Sequence, residues 1–250
     1  MNKQISGIYI LWKREVIRFF RAKSRVIGTL GMPFFFLLIL GSGFGPAYQA
    51  QSGGGNYMDL LTPGIIGMVL LFSSIFSGIR VLMDREFGFL KEIMVAPISR
   101  TSIMLGITLG GMTTSTIQAI LFLGVSLLVG VHLNLYGLPA ALLFMFLISA
   151  SFVALGIAIA SKMEDMHGFQ LITNFLIMPL FLLSGALFPL ENLGAWQFIT
   201  FLDPLTYGVD GLRVTLTNAP GMPLWLDFTV LAGFCVVCIL TGAFLFSQRE

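Results

Sequence analysis

From Thr101 to Ser161 the chain runs for 61 residues without an Asp, Glu, Lys or Arg. One membrane crossing takes about 20 apolar residues, so this stretch is too long for a single span. It breaks at "VHLNLYGLP", where Asn134, Gly137 and Pro139 make a turn, and therefore holds two. The other charge-free windows are Val26–Met58, apolar as far as about Gly45, then Leu60–Ile79, Met166–Leu190 and Phe228–Gln248. Six spans are expected, at roughly 26–46, 59–80, 101–130, 138–161, 166–188 and 226–247. With 56% hydrophobic residues, a water-soluble fold of 250 residues would saturate its core and leave apolar surface in water. Only helices and closed barrels satisfy their backbone in lipid, and the hydrophobicity is continuous rather than alternating. The fold class expected is an all-α, polytopic membrane protein with six transmembrane helices.

Orientation follows from Lys and Arg. Seven precede the first span, four lie at residues 80–100, and Lys162 and Arg249 complete that side. The alternate loops hold only Arg213, a division of thirteen to one. Both termini and the charged stretch near residue 90 are expected in the cytoplasm. The chain is charged for about 25 residues before its first long apolar run, longer than a signal n-region, so that run is expected to stay in the membrane. Residues 1–24 read as an amphipathic interfacial helix, with 25–250 forming the six-span domain. Ile5, Ile8, Tyr9, Trp12, Val16, Phe19 and Phe20 fall in one stripe, opposite Lys3, Arg14, Arg18 and Arg21. Ile10, Leu11 and Ile17 lie off the stripe.

The cytoplasmic segment after span two is longer than a simple reversal requires. It reads "DREFGFLKEIMVAPISR" (84–100), with Phe87, Leu90 and Met94 at helical spacing and Glu86, Lys91 and Glu92 on other faces. Pro97 ends that pattern, because the residue before a proline avoids the α region. Ser99 or Thr101 can cap the next span. A short amphipathic helix over 84–98 is expected at the membrane surface. On the opposite side, residues 189–223 are external yet rich in apolar side chains, including Trp196, Phe198, Phe201 and Leu205. A water-exposed loop does not have this composition; a pair of short helices re-entering the bundle at 189–217 accounts for it, with flat interfacial helices as the alternative.

Few polar groups sit inside the spans. "TTSTIQ" (113–118) carries several hydroxyls that ordinarily bond to carbonyls of their own helix. Gln118 and Asn174 are the better candidates for lining a path. Gly106 and Gly110 form a G-x-x-x-G, a mark of close helix packing. Cys235 and Cys238, His132 and His167 make no metal-binding pattern, and no site for a metal or a cofactor is expected. "SGGGNY" (52–57) lacks the lysine of a phosphate loop, and no nucleophile–base constellation is visible. No catalytic residue is expected. No span has a central carboxylate, which disfavours a proton-coupled carrier.

Two stretches resemble the type-2 ABC transporter permeases. In "DREFGFLKEIMVAPISR", Glu86, Gly88, Leu90, Glu92, Ile93, Ala96 and Pro97 follow the family's cytoplasmic motif, with Ala96 where many members have Ser or Thr. In "LSGALFPLENLGAWQFITFLDPLTYGVDGLR" (183–213), Ser184, Gly185, Phe188, Pro189, Leu193, Pro204, Leu205, Tyr207 and Arg213 follow a second motif, with Gly194 replacing a common proline. The resemblance implies that 84–98 is a coupling helix docking on a separate ATPase subunit. Asp84, Arg85, Glu86, Phe87, Gly88, Leu90, Lys91, Glu92, Met94 and Pro97 would form it. It further implies that 189–217 is an external lid built on Pro189, Trp196, Phe201, Pro204, Tyr207 and Arg213. ATP and magnesium would then bind the partner ATPase, in two copies, and a second copy of this chain would complete a homodimer in the lipid bilayer. No nucleic-acid partner is expected.

The function expected is the permease subunit of an ATP-driven exporter of a hydrophobic or amphipathic substrate, in the cytoplasmic membrane of a prokaryotic cell. The drug, lipid and lipid-linked glycan branches are the most similar. The alternatives are a polysaccharide exporter and a non-transporting scaffold or sensor subunit. A topology test follows. Single cysteines replacing Gly54 or Asn218 should react with an impermeant thiol reagent only from outside, and those replacing Glu92 or Lys162 only from inside. External reaction at Glu92 would exclude the six-span arrangement.

Overall fold

A computed structural model of the chain describes residues 3–52, 56–89, 93, 95, 97–188 and 197–249. The described residues form helices and no strand, so the all-α fold expected from the sequence is the fold found. In chain order the elements are α1 (Lys3–Arg21), α2 (Lys23–Ser52), α3 (Tyr57–Ile75), α4 (Ser77–Glu86) and α5 (Arg100–Leu128). A 3-10 turn (Leu135–Gly137) leads into α6 (Leu138–Lys162), followed by α7 (Met166–Leu183), α8 (Gln197–Thr200), α9 (Pro204–Thr217) and α10 (Leu224–Arg249). Six stretches are long and apolar enough to cross a membrane: Val26–Ala50, Tyr57–Glu86, Arg100–Leu128, Leu135–Lys162, Met166–Leu183 and Leu224–Phe246.

Local sequence sets where these helices begin. Asn56, Ser99, Asp165 and Asp203 each precede a helix and accept a backbone N–H of its first turn, from Met58, Ser102, Gly168 and Leu205 respectively. Serines and threonines within the spans donate to carbonyls one turn back, as Ser73 does to Val69, Ser149 to Met145 and Ser161 to Ile157. Their hydroxyls are thereby satisfied without water.

α3 is the central post. Every residue from Leu61 to Leu71 is buried, and α2, α5, α6 and α9 surround it. It continues into α4 through a single non-helical residue, Phe76, so the second span is bent. α6 packs against α10, α3, α5, α4 and α9. α7 lies at the rim, where Leu171, Phe175, Met178 and Leu182 are exposed along one face. Lipid or another apolar partner must cover a surface of this kind.

α1 departs from the expected arrangement. Its line of burial is Gly7, Leu11, Glu15 and Phe19, whereas Ile5, Tyr9 and Phe20 of the expected stripe are exposed. The helix runs parallel to the first turns of α5. Gln4 meets Ser99 and Ser102, Leu11 meets Gly106, Glu15 meets Gly110, and the Trp12 indole donates to Thr113 Oγ1 at 3.0 Å. It therefore leans lengthwise along a span instead of lying free across the leaflet. The two glycines of the G-x-x-x-G make this possible: a Cβ on Gly106 would stand 2.9 Å from that of Leu11, and one on Gly110 2.5 Å from that of Glu15.

Gly110→Leu should therefore push α1 off α5 and destabilise the fold by about 1–3 kcal/mol. Gly124→Leu on the same helix, where a Cβ meets nothing within 4 Å, serves as the control. Thermal unfolding in detergent, together with the emission of Trp12 with Trp196 and Trp225 replaced by Phe, reports both. Equal behaviour of the two variants would refute the α1–α5 contact.

Candidate functional site

The charged stretch that follows α4 is anchored at both of its ends by α1. At its start, the last turn of α4 presents Asp84, Arg85 and Glu86. Asp84 is 7% exposed and accepts from Arg14 at 2.6 Å and Arg18 at 3.5 Å, both on α1. One turn earlier Arg80 pairs with Glu15 at 3.0 Å and donates to Ser77 Oγ. Arg14 also bonds Glu15 at 2.9 Å and lies over the Phe89 ring at 5.0 Å. At the far end, Ile98 fills the space above Gly7, and the Gln4 side-chain oxygen accepts from the Ser99 backbone at 2.8 Å and from the Ser102 hydroxyl at 2.8 Å.

The residues named for coupling thus divide. Asp84 and Arg85 turn inward: Arg85 donates to the Met163 carbonyl just past the end of α6. These two side chains are engaged within the chain, which differs from a role in partner contact. Glu86 is exposed, and Phe87 is 76% exposed with its backbone N–H closing α4 on Met83. Gly88 adopts φ +77° and its N–H bonds the Arg85 carbonyl at 3.0 Å. A Cβ there would meet nothing of this chain within 4 Å, so within the chain this glycine serves a left-handed turn. Pro97 is exposed; Leu90, Lys91, Glu92 and Met94 lie outside the described residues.

On the outer side, α9 is enclosed by α3, α6 and α10. Asp203 caps it and Pro204 occupies its first turn, where a missing N–H costs nothing. The two arms of the hairpin are joined by Tyr207 donating to the Phe201 carbonyl at 3.0 Å and Thr206 to that of Thr200 at 2.7 Å. Arg213, buried, donates to the Gly185 carbonyl at 2.7 Å, just past α7. Tyr57 donates to the Leu187 carbonyl at 3.0 Å. Pro204, Tyr207 and Arg213 are therefore brought together on one element. Phe201 is exposed beside them, and Pro189 and Trp196 lie outside the described residues.

The two path candidates separate. Gln118 is buried, donates to Thr29 Oγ1 of α2 at 3.0 Å, and lines a cavity of about 500 Å³ between the end of α1 and helices α2 to α5. Asn174 is exposed on α7, away from that cavity. Two features escaped the sequence reading. One is the tie between Glu15 and Arg80; the other is Asp227, fully buried at the start of α10 beside Asp210, which itself holds the Met222 N–H at 2.7 Å. Only the unusual placement of acids within apolar flanks could have pointed to them.

A bundle with six helices long and apolar enough to cross a membrane, a charged stretch braced by α1 and a buried α9 is an all-α polytopic membrane fold. The chain belongs to the ABC-2 type transporter family, whose model matches residues 6–217. It is similar to the inner membrane transport permease YadH of Escherichia coli K12, 25% identical over 237 residues that cover 92% of this chain and 90% of that one. It also resembles ycf38 of Cyanophora paradoxa, 29% identical over 219 residues covering 86% and 76%. Nodulation protein J of Rhizobium leguminosarum bv. viciae is 24% identical over 244 residues covering 96% and 91%. The chain is a multi-pass membrane permease subunit, and its family implies an ABC ATPase as partner.

Removing one partner from the buried ion cluster should be costly. Asp84→Ala leaves Arg14 with Glu15 at 2.9 Å as its remaining carboxylate and should destabilise the protein by about 1–3 kcal/mol. Arg14→Met combined with Asp84→Leu should recover most of that loss. Denaturant unfolding of the three proteins measures it; a double variant no better than Asp84→Ala would contradict an ionic role.

Proposed function

We propose that the chain is the membrane half of an ATP-driven exporter moving a hydrophobic or amphipathic molecule out of the cytoplasm or inner leaflet. Two copies would pair with two ATPase subunits in a prokaryotic cytoplasmic membrane. The observation that carries this reading is Phe87. It is a large aromatic side chain, 76% exposed, at the end of a helix whose neighbouring Asp84 and Arg85 are pinned inside the chain. Its position is fixed while its ring is left bare. A hydrophobic anchor held on a braced element suits a subunit that must receive force as well as contact. The cargo class follows from the interior: a cavity wall whose surface is mostly apolar, with Met and Phe prominent among polar residues such as Gln118 and Ser115, favours an amphipathic or apolar body over a fully hydrated one. The exposed faces of α2 and α7 offer the surface for a second copy.

Phe87→Ala should leave the chain folded and inserted, because the ring contributes to no core cluster. Association with the ATPase subunit should weaken by about 2 kcal/mol, and transport and cargo-stimulated ATP hydrolysis should fall together. Co-purification with the partner ATPase subunit and export assays in vesicles read the two effects. Unchanged association and transport would remove the coupling assignment.

A further inference from the structure

The cavity around Gln118 is built for a particular kind of guest. It lies between the end of α1 and helices α2 to α5, in the half of the bundle that the Lys and Arg distribution assigns to the cytoplasm, and its volume of about 500 Å³ falls in the range of sites that enclose small ligands. Met32, Met68, Phe72 and Phe76 supply apolar walls, the methionines being able to adjust to a flexible chain. Arg18 and Arg80 stand at one end.

The charges at that end do not cancel. Arg14, Arg18 and Arg80 face two carboxylates, Glu15 and Asp84. Arg80 is held by Glu15 at 3.0 Å, and Arg14 takes Asp84 at 2.6 Å. Arg18 reaches Asp84 only at 3.5 Å, and its side chain is 43% exposed. The surplus positive charge of the cluster resides there, at the edge of an apolar cavity. A second, separate feature is Ser115. Its hydroxyl is buried and has no hydrogen-bond partner, as is also true of Ser74 on α3, but of these two serines Ser115 alone lines the cavity. An unpaired buried hydroxyl is uncommon and fits a group supplied from the cavity.

We propose that this cavity binds one anionic phospholipid of the cytoplasmic leaflet. Its phosphate lies against Arg18, an ester oxygen accepts from Ser115, and an acyl chain fills the space between Met32, Met68 and Phe72. Basic pockets between helices on the cytoplasmic side are suited to acidic headgroups. The occupant is a lipid and not a free anion, because most of the wall can contact only hydrocarbon. The guest would also cover the junction where α1 meets α2, α4 and α5. This inference concerns the same cavity from which the cargo class was read but does not require that the chain transport the lipid, so failure of export leaves it intact, and lipid retention and export are read by separate experiments.

The experiment is lipid retention by the purified full-length chain, read by native mass spectrometry after exchange into detergent containing equal phosphatidylglycerol and phosphatidylcholine. One phosphatidylglycerol should remain bound in preference to phosphatidylcholine. Arg18→Gln should reduce that preference about fivefold, the loss expected for one cationic contact near a lipid surface. Met32→Trp, at an exposed position that does not endanger the fold, should narrow the cavity and lower retention of lipid regardless of headgroup. Inorganic phosphate should neither displace the lipid nor raise the unfolding temperature as phosphatidylglycerol does. Equal retention of the two lipids, retention unchanged in both variants, or stabilisation by phosphate alone to the same degree would each overturn the proposal.

Discussion

The ionic contact between α1 and α4 governs the cytoplasmic end of this molecule. Glu15 is 1% exposed and Asp84 scarcely more, and removing a carboxylate from water carries a penalty of several kcal/mol even after relaxation. That penalty is tolerable only with arginines within direct reach, which Arg80 and Arg14 provide at 3.0 and 2.6 Å. The geometry is therefore intolerant of drift. If α1 moved outward by a few ångströms, buried charges would lose their partners together. Such an interaction contributes little net stability but penalises alternatives strongly, and so fixes where α1 sits.

That placement determines the rest of the cytoplasmic face. Because α1 follows α5 in parallel, its first turn reaches the start of α5 through Gln4 and Ser99, while its later turns reach the end of α4 through Arg14 and Asp84. The intervening stretch has both feet on the same helix. Phe87 emerges from this frame after α4 has closed on Met83, and the left-handed turn at Gly88 sets the direction that follows. In the proposed coupling role, a push delivered to Phe87 would be received by α4 and, through its ion pairs, by α1. The outer end is held differently. Arg213, Tyr207 and Tyr57 all donate to backbone carbonyls, and Arg213 does so at the end of α7, where helix carbonyls lack internal partners.

The spans were legible because lipid imposes a rule that sequence cannot evade: twenty residues or so must pass without charge. The all-α fold followed directly, as did the cap at Ser99, one of the two residues the sequence offered for it, whose chemistry is local. The face of α1 was not legible. Periodicity counts Glu15 as polar and turns the apparent apolar stripe away from it, yet Glu15 is buried because Arg80, distant in sequence, awaits it. Leu11 fell off the stripe for the same reason. Gly106 and Gly110 announced a close contact without naming the helix that makes it. Asp84 and Arg85 were visible as charges beside a family motif, and only their distances show that they face inward. The bend at Phe76 has no proline or glycine at that residue to betray it, and Asp227 looked like an ordinary first-turn acid until α9 was placed against it.

The two ends of the bundle therefore differ in how they resist change. At the end braced by α1, separating α1 from α4 strands several charges at once, and the cost rises with distance because the carboxylates are shielded from water. At the opposite end, the contacts of Arg213, Tyr207 and Tyr57 are hydrogen bonds to carbonyls, each of net worth about 0.5–1.5 kcal/mol, or up to about 3 for the one with a charged donor. They stand on a packed core in which Leu205, Val209, Leu212 and Leu216 are fully buried. Resistance is therefore ionic at one end and largely apolar at the other. In the proposed coupling role Phe87 would be carried by the ionic end, so that a push on it would move α1 and α4 together.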